Sequence, residues 1–332
     1  MLAIVCPGQG AQSPGMLSPW LDLPHASERL AALSEAAAVD LVAHGTTSNA
    51  DTIRDTAVAQ PLIVATSLLA LRSLEDALGR SHPAAPFADV AAGHSVGELA
   101  AAAAAGVLTD VAAVGLVTRR AAAMAHAAAL TPTGMCAVVG GDPDEVLASI
   151  EAAGLSPANV NSPGQVVAAG ALEGLEALAG NPPARARVIP LQVAGAFHTS
   201  FMEPARAELA PVAASWPAAD PATTLLSNAD GQSYAAVATS HDQRAGDHGH
   251  GRATDVLERI VAQIVAPVRW DLCQETLAAL GVTGLIELAP GGVLTGLARR
   301  TLPGVETVAV KSPADLDAAV ELVTRHLKEN AA

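Results

Sequence analysis

The sequence predicts an α/β protein with a mainly parallel sheet and a smaller inserted sheet. Three observations carry that prediction. Short apolar runs alternate with helical stretches over most of the chain, the order that sets parallel strands between layers of helices. One segment, about residues 131–194, changes to strand–helix–strand–strand–helix–strand, the ferredoxin-like βαββαβ unit. Apolar residues make up 51% of the 332, against 15% charged, enough for a sizeable buried core.

Leu2–Cys6 is an apolar run stopped by Pro7-Gly8 and reads as a buried strand. Helical patterns follow at Ser27–Val39 and Pro61–Leu78. Asp89–Ala92 is a second short strand, leading through Gly93-His94-Ser95-Val96-Gly97 into a helix over Val96–Ala105. Asp110–Ala129 is another long helix. The inserted unit takes Met135–Val139, Ala158–Val160, Gln165–Ala169 and Arg187–Leu191 as strands, with helices Pro143–Ala153 and Leu172–Ala179. Beyond it come helix Pro204–Ala214, strand Thr223–Ser227 and a Gly/Asp-rich loop from about Asp230 to Gly251. Helices Thr254–Ala266 and Asp271–Leu280 follow, then strands Gly284–Leu288 and Thr307–Val310 around helix Val293–Thr301, and a last helix Ala314–Glu329. The expected domains are a core of residues 1–130 and 195–332 and a small subdomain of residues 131–194.

The bulk composition narrows the function. Net charge is −15 with no Lys/Arg run, which argues against nucleic acid. Cys6, Cys136 and Cys273 lie far apart without C-x-x-C spacing, so no disulfide framework is expected. The N-terminus lacks the basic start of a signal peptide, and no uninterrupted apolar run reaches about 20 residues. A soluble, cytoplasmic protein without a membrane partner is expected.

Gly93-His94-Ser95-Val96-Gly97 fits G-x-S-x-G, which presents a serine on a sharp strand-to-helix turn. A serine nucleophile needs a base. Of ten histidines, His198 lies just after a strand, where an α/β-hydrolase-like sheet would present one. His94 is expected to point away from Ser95. His241, His248 and His250 read as a solvated loop rather than a metal site. The acids between Ser95 and His198 fall in predicted helices, helix starts or turns. The expected site is therefore a Ser–His dyad, with a neutral group such as a backbone carbonyl orienting the imidazole. That dyad also fits a thioesterase or lipase-like hydrolase, and a similar fold could serve as a non-catalytic scaffold.

Four motifs then occur in order: Pro7-Gly8-Gln9-Gly10-Ala11-Gln12, Gly93-His94-Ser95-Val96-Gly97-Glu98, Arg120, and Gly195-Ala196-Phe197-His198. In these, and in Asn159-Val160-Asn161-Ser162-Pro163-Gly164-Gln165 and Pro290-Gly291-Gly292-Val293-Leu294-Thr295-Gly296-Leu297, the chain resembles the malonyl-CoA:acyl-carrier-protein transacylases of fatty acid synthesis. It also looks like the acyltransferase domains of polyketide synthases. The resemblance implies that Ser95 is acylated, His198 is its base, and the Gln9 and Val96 amides form an oxyanion hole. It implies that Arg120 holds the malonyl carboxylate, Gln263 orients His198 through its carbonyl, and Asn161 lines the pocket. Phe197 at its position goes with malonyl, filling the space an α-methyl needs. Gly195 departs from the His-Ala-Phe-His of many polyketide domains and points to the free-standing fatty-acid type. A guanidinium suits a buried carboxylate because it forks onto both oxygens. Arg119 is adjacent, and consecutive helical residues face about 100° apart, so only one of the two can reach the pocket.

The implied partners are malonyl-CoA and holo acyl carrier protein, whose phosphopantetheine thiol is the acceptor. No metal or redox cofactor is implied, and a monomer is the default. Carrier proteins of this type are acidic, so docking needs a local basic patch, for which Arg185, Arg187, Arg299, Arg300 and Lys311 are candidates.

Overall fold

The computed structural model describes residues 1–80, 86–234 and 252–329. The first third of the chain supplies β1 (Leu2–Cys6), α1 (Ala26–Ala37), α2 (Leu41–Thr46), α3 (Thr56–Ala77), β2 (Val90–Gly93), α4 (Gly97–Ala104) and α5 (Asp110–Leu130). The inserted unit is β3 (Thr133–Gly140), α6 (Pro143–Ala152), β4 (Ser156–Ser162), β5 (Gln165–Ala171), α7 (Leu172–Gly180) and β6 (Ala186–Pro190). The chain then runs through α8 (Glu203–Ala213), β7 (Thr224–Leu225), α9 (Ala253–Ala262), β8 (Val268–Arg269) and α10 (Trp270–Ala279). It ends with β9 (Gly284–Glu287), α11 (Val293–Thr301), β10 (Glu306–Ala309) and α12 (Leu316–Glu329).

The main sheet has the order β10-β9-β1-β2-β7, with every pair parallel. β1 lies at its centre and is buried throughout, which is why it reads as an unbroken apolar run. Its side chains alternate between two cores. Leu2, Ile4 and Cys6 join the larger one with α3, α4, α5 and α12, while Ala3 and Val5 join Trp270, Leu277, Leu294 and Leu297 from α10 and α11.

The second sheet has the order β6-β3-β5-β4, all antiparallel, as expected of a βαββαβ unit. Val166 and Ala168 of β5 face its own helices, and Val167 and Ala169 face the main core. A fifth strand, β8, arrives from the main body and pairs parallel with Asn159 and Val160 of β4. At two residues, β8 is too short to show in the sequence pattern.

Two helices of the first third differ from expectation. α2 spans six residues, too few for periodicity, and depends on the Asp40 side chain accepting the Ala43 N–H at 2.9 Å. α3 begins at Thr56 rather than Pro61, because Asp55 caps its N-terminus through the Ala57 N–H. Pro61 then costs one hydrogen bond near the start of a long buried helix. At 22 residues with mean hydropathy 1.5, α3 is long and apolar enough to cross a membrane, but 83% of that window is buried inside the protein. Most of the loop expected at 230–251 lies outside the described residues, as do His241, His248 and His250.

Candidate active site

The site is built at the C-terminal ends of β1 and β2. Their register pairs Cys6 with Gly93, so the turns at Pro7–Gly10 and His94–Gly97 leave the sheet side by side. The fit leaves no room for side chains. A Cβ on Gly97 would sit 2.2 Å from the Cys6 carbonyl oxygen, and one on Gly93 would sit 2.1 Å from the Gly97 carbonyl. Between them Ser95 takes a left-handed backbone, φ 53°, a costly conformation for a non-glycine residue. Asn228 secures it: its Oδ1 accepts the Ser95 N–H at 2.8 Å, and its Nδ2 donates to the Gly93 carbonyl at 2.7 Å. The backbone N–H groups of Gln9 and Val96 make no hydrogen bond among the described residues. Both lie on the turns that flank Ser95.

Ser95 Oγ is 2.7 Å from His198 Nε2, and His198 Nδ1 is 2.7 Å from the Gln263 carbonyl oxygen. That carbonyl can only accept, so Nδ1 carries the proton and Nε2 is free to accept the serine O–H. The carbonyl is available for a local reason. α9 was expected to run to Ala266 but stops at Ala262 and tightens into a 3-10 turn over Gln263–Val265. In a continuing α-helix the Gln263 carbonyl would accept from residue 267, which is proline and has no N–H. Burial, reinforced by the Arg120 charge, pushes the His198 pKa down to about 3, against the opposing Gln263 bond. The imidazole is therefore neutral and fit to act as a base at neutral pH.

His198 follows a strand of the inserted unit, as the sequence places Arg187–Leu191. The preceding strand, β6, belongs to the small sheet, and His198 sits on the linker that returns to the core, at φ 61°. His94 turns from the nucleophile as expected, with Nε2 2.8 Å from Asn161 Oδ1 and its ring edge-on to Trp270.

Helix α5 settles the adjacent arginines: Arg119 is exposed and Arg120 is fully buried. Arg120 Nη1 donates to Gln60 Oε1 at 2.6 Å, and Nη2 donates to Gln263 Oε1 at 2.9 Å. Its Nε has no partner among the described residues, a buried donor that calls for an acceptor. Burial lowers the Arg120 pKa to about 10, with Glu98 acting against the shift. Gln60 and Asn228 were missed in the sequence reading. Gln60 is a lone amide in the wholly buried run Ala59–Leu71 of α3, and such a polar residue in an apolar helix is the signal that could have found it.

A cavity of about 320 Å³ opens onto Ser95 and His198. Gln9 and Gln60 line it from the core, Phe197 from the linker, and Met135, Asn159 and Val167 from the small sheet. Asn161 stands beside it, bonded to His94, and its strand-mate Asn159 lines the cavity. β4 is bulged at both ends of this stretch. The Asn159 Oδ1 is buried without a partner among the described residues. No group of three His, Cys, Asp or Glu side chains among the described residues could hold a metal ion.

The chain as a whole is similar to known proteins. The acyl transferase domain family matches residues 3–322. The malonyl CoA-acyl carrier protein transacylase of Mycobacterium tuberculosis is 50% identical over 322 residues, covering 97% of this chain and 100% of that protein. The crystal structure of MCAT from Mycobacterium tuberculosis superposes with a TM-score of 0.86 at 50% identity, covering 96% of this chain and 99% of the other. A malonyl-transacylase solved in complex with its type II PKS acyl-carrier protein superposes with a TM-score of 0.83 at 29% identity, covering 96% and 99%. The chain belongs to the acyl transferase family, among the malonyl CoA-acyl carrier protein transacylases.

Proposed function

We propose that this enzyme transfers the malonyl group of malonyl-CoA to the phosphopantetheine thiol of holo acyl carrier protein through a malonyl ester on Ser95. The observation that carries this reading is the hydrogen-bonded chain Ser95–His198–Gln263 beside the buried, incompletely paired Arg120. The malonyl carboxylate takes up the remaining N–H groups of Arg120, and Gln60 and Gln263 keep the fork in place. His198 Nε2 takes the Ser95 proton as Oγ attacks the thioester carbon. The oxyanion is held by the Gln9 and Val96 N–H groups, each worth roughly 3–4 kcal/mol. The intermediate collapses, and coenzyme A leaves as its thiol with the proton from His198. In the second half the carrier thiol gives its proton to His198 and attacks the ester, and Ser95 recovers the proton as it leaves.

In this reading the core, residues 1–130 and 195–332, supplies the chemistry. Residues 131–194 form the subdomain that walls the acyl pocket, with Phe197 filling the space of an α-methyl. The dyad and backbone donors account for every charge and proton, so the scheme needs no resident metal or redox cofactor. The enzyme serves fatty acid synthesis, and polyketide synthesis where the carrier allows, as a cytoplasmic monomer. The test is to isolate malonyl-enzyme and add holo acyl carrier protein. Malonyl-carrier protein as the main product supports the reading, whereas release of free malonate at the same rate with or without carrier makes the protein a hydrolase.

A further inference from the structure

The transfer scheme leaves one buried acid unassigned. Glu98, in the first turn of α4, is 3% exposed. One of its carboxyl oxygens accepts the backbone N–H of Asn228 at 2.6 Å, and the other is bonded to Gln263 Nε2. An acid in the first turn of a helix ordinarily serves that helix's own N–H groups. Glu98 instead reaches across to two residues that touch the reacting groups. Asn228 brackets the Ser95 turn. Gln263 holds His198 through its backbone and Arg120 through its side chain.

The chemistry of an amide makes this contact directional. Gln263 has one donor end and one acceptor end. Arg120 can only donate, and an ionised carboxyl can only accept. Between the two, the Gln263 amide has one satisfied orientation, with oxygen toward Arg120 and nitrogen toward Glu98, where the Ser95 carbonyl at 3.1 Å and Asn228 Oδ1 at 3.2 Å are its more distant acceptors. A glutamine at position 98 has one acceptor oxygen for the two donors that Glu98 serves, the Asn228 N–H and Gln263 Nε2. One of them then meets its NH2, and the hold on Gln263 weakens to those longer contacts with the Ser95 carbonyl and Asn228 Oδ1. Once flipped, Gln263 would set its NH2 against the guanidinium, and the fork would lose one of its two supports.

We propose that Glu98 is a positioning residue that fixes the Gln263 amide, and through it the Arg120 fork, and so sets the preference for acyl groups that carry a carboxylate. The proposal rests on the malonyl reading above.

The charge state of Glu98 offers an independent handle. Burial raises its carboxyl to about 8, while the Asn228 N–H, Arg120 from α5 and Arg259 from α9 pull it down and Asp230 pushes it up. Tyr234 and Cys273 face the same carboxyl, and both are held protonated by their own burial. His198 is neutral across the same range. The acceptor-only form of Glu98 therefore grows as pH rises through about 8, and the preference for malonyl over acetyl should rise with it.

The experiment measures initial rates of Ser95 acylation by malonyl-CoA and by acetyl-CoA, from intact mass, in the wild type, E98Q and E98D. E98Q is expected to slow malonyl loading about 30-fold and acetyl loading about 3-fold or less, which lowers the preference about tenfold. E98D keeps an acceptor-only group and should recover most of the preference even where both rates fall. In the wild type the preference should climb between about pH 7 and pH 9, and in E98Q it should be flat. Parallel loss of both activities in E98Q would reduce Glu98 to a structural role and overturn the proposal. Should E98Q fail to fold, a wild-type preference that does not change with pH overturns it instead. A wild type that does not load malonyl at all refutes the underlying reading, a result distinct from either.

Discussion

Ser95 and His198 share a left-handed backbone and meet at 2.7 Å, yet two regions of the molecule hold them by different means. The Ser95 turn is fixed chiefly by crowding, with Asn228 bonded across it. Gly93 and Gly97 pack backbone against backbone at the end of a buried parallel sheet, with no space for a Cβ. The linker that carries His198 is held mainly by single bonds, with one close approach at Gly195, where a Cβ would sit 2.8 Å from the Ala128 Cβ. Thr133 Oγ1 accepts the Ala196 N–H at 2.9 Å, Thr199 Oγ1 donates to the Ala196 carbonyl at 2.7 Å, and His198 leans on the Gln263 carbonyl. Crowding is nearly all-or-none, whereas a network of bonds fails in steps. Changes at the nucleophile should therefore be more severe than changes at the base.

Gly97→Ala should have the largest effect. The added Cβ would meet the Cys6 carbonyl at 2.2 Å, so the β1–β2 junction must shift. Overpacking of this kind costs about 1–3 kcal/mol or more, and malonyl loading should be lost. Urea unfolding together with a loading assay checks both. Arg120→Lys comes next, because an ammonium cannot reproduce a fork that serves Gln60, Gln263 and a carboxylate together. Malonyl kcat/KM should fall about 100-fold, while acetyl loading changes little. Thr133→Val tests the linker. It strands the Ala196 N–H and should cost about 1–3 kcal/mol of stability, with kcat falling about tenfold as His198 drifts from Ser95. The smallest effect is expected from acid. An ordinary histidine protonates near 6.5 and would stop acting as a base below that. With the His198 pKa pushed down to about 3, the rate of acetyl loading, which does not draw on the Arg120 fork, should stay nearly level from about pH 7 to about pH 5.

The same contrast explains what the sequence revealed. The central parallel strands β1, β2 and β9 were legible because their burial on both faces leaves plain apolar runs, and the Ser95 turn because its constraint lies within five residues, Gly93 to Gly97. The family resemblance led to Gln263 and Arg120, and Pro267 is a sequence sign that the Gln263 carbonyl lacks the N–H partner a continuing helix would give it. Burial was needed to separate Arg120 from Arg119. Asn228 and the small strand β8 gave no such sign, and Gln60 showed only as a lone amide in an apolar helix. Their partners lie far along the chain, as with Gln60 and Arg120 or Asn228 and Ser95. Bonds between distant residues leave no periodic trace. On β4, alternation sets Asn159 and Asn161 on the same face, so it could not tell which of the two lines the cavity, and the bulges beside them leave no periodic trace.

The most direct test of the central claim is the intact mass of the purified enzyme after incubation with malonyl-CoA and no acceptor, followed by mapping of the modified peptide. The account predicts one malonyl group per chain, carried on the peptide that contains Ser95, and none on Ser95→Ala. A malonyl group that persists on Ser95→Ala, or one that maps to another residue, would contradict it.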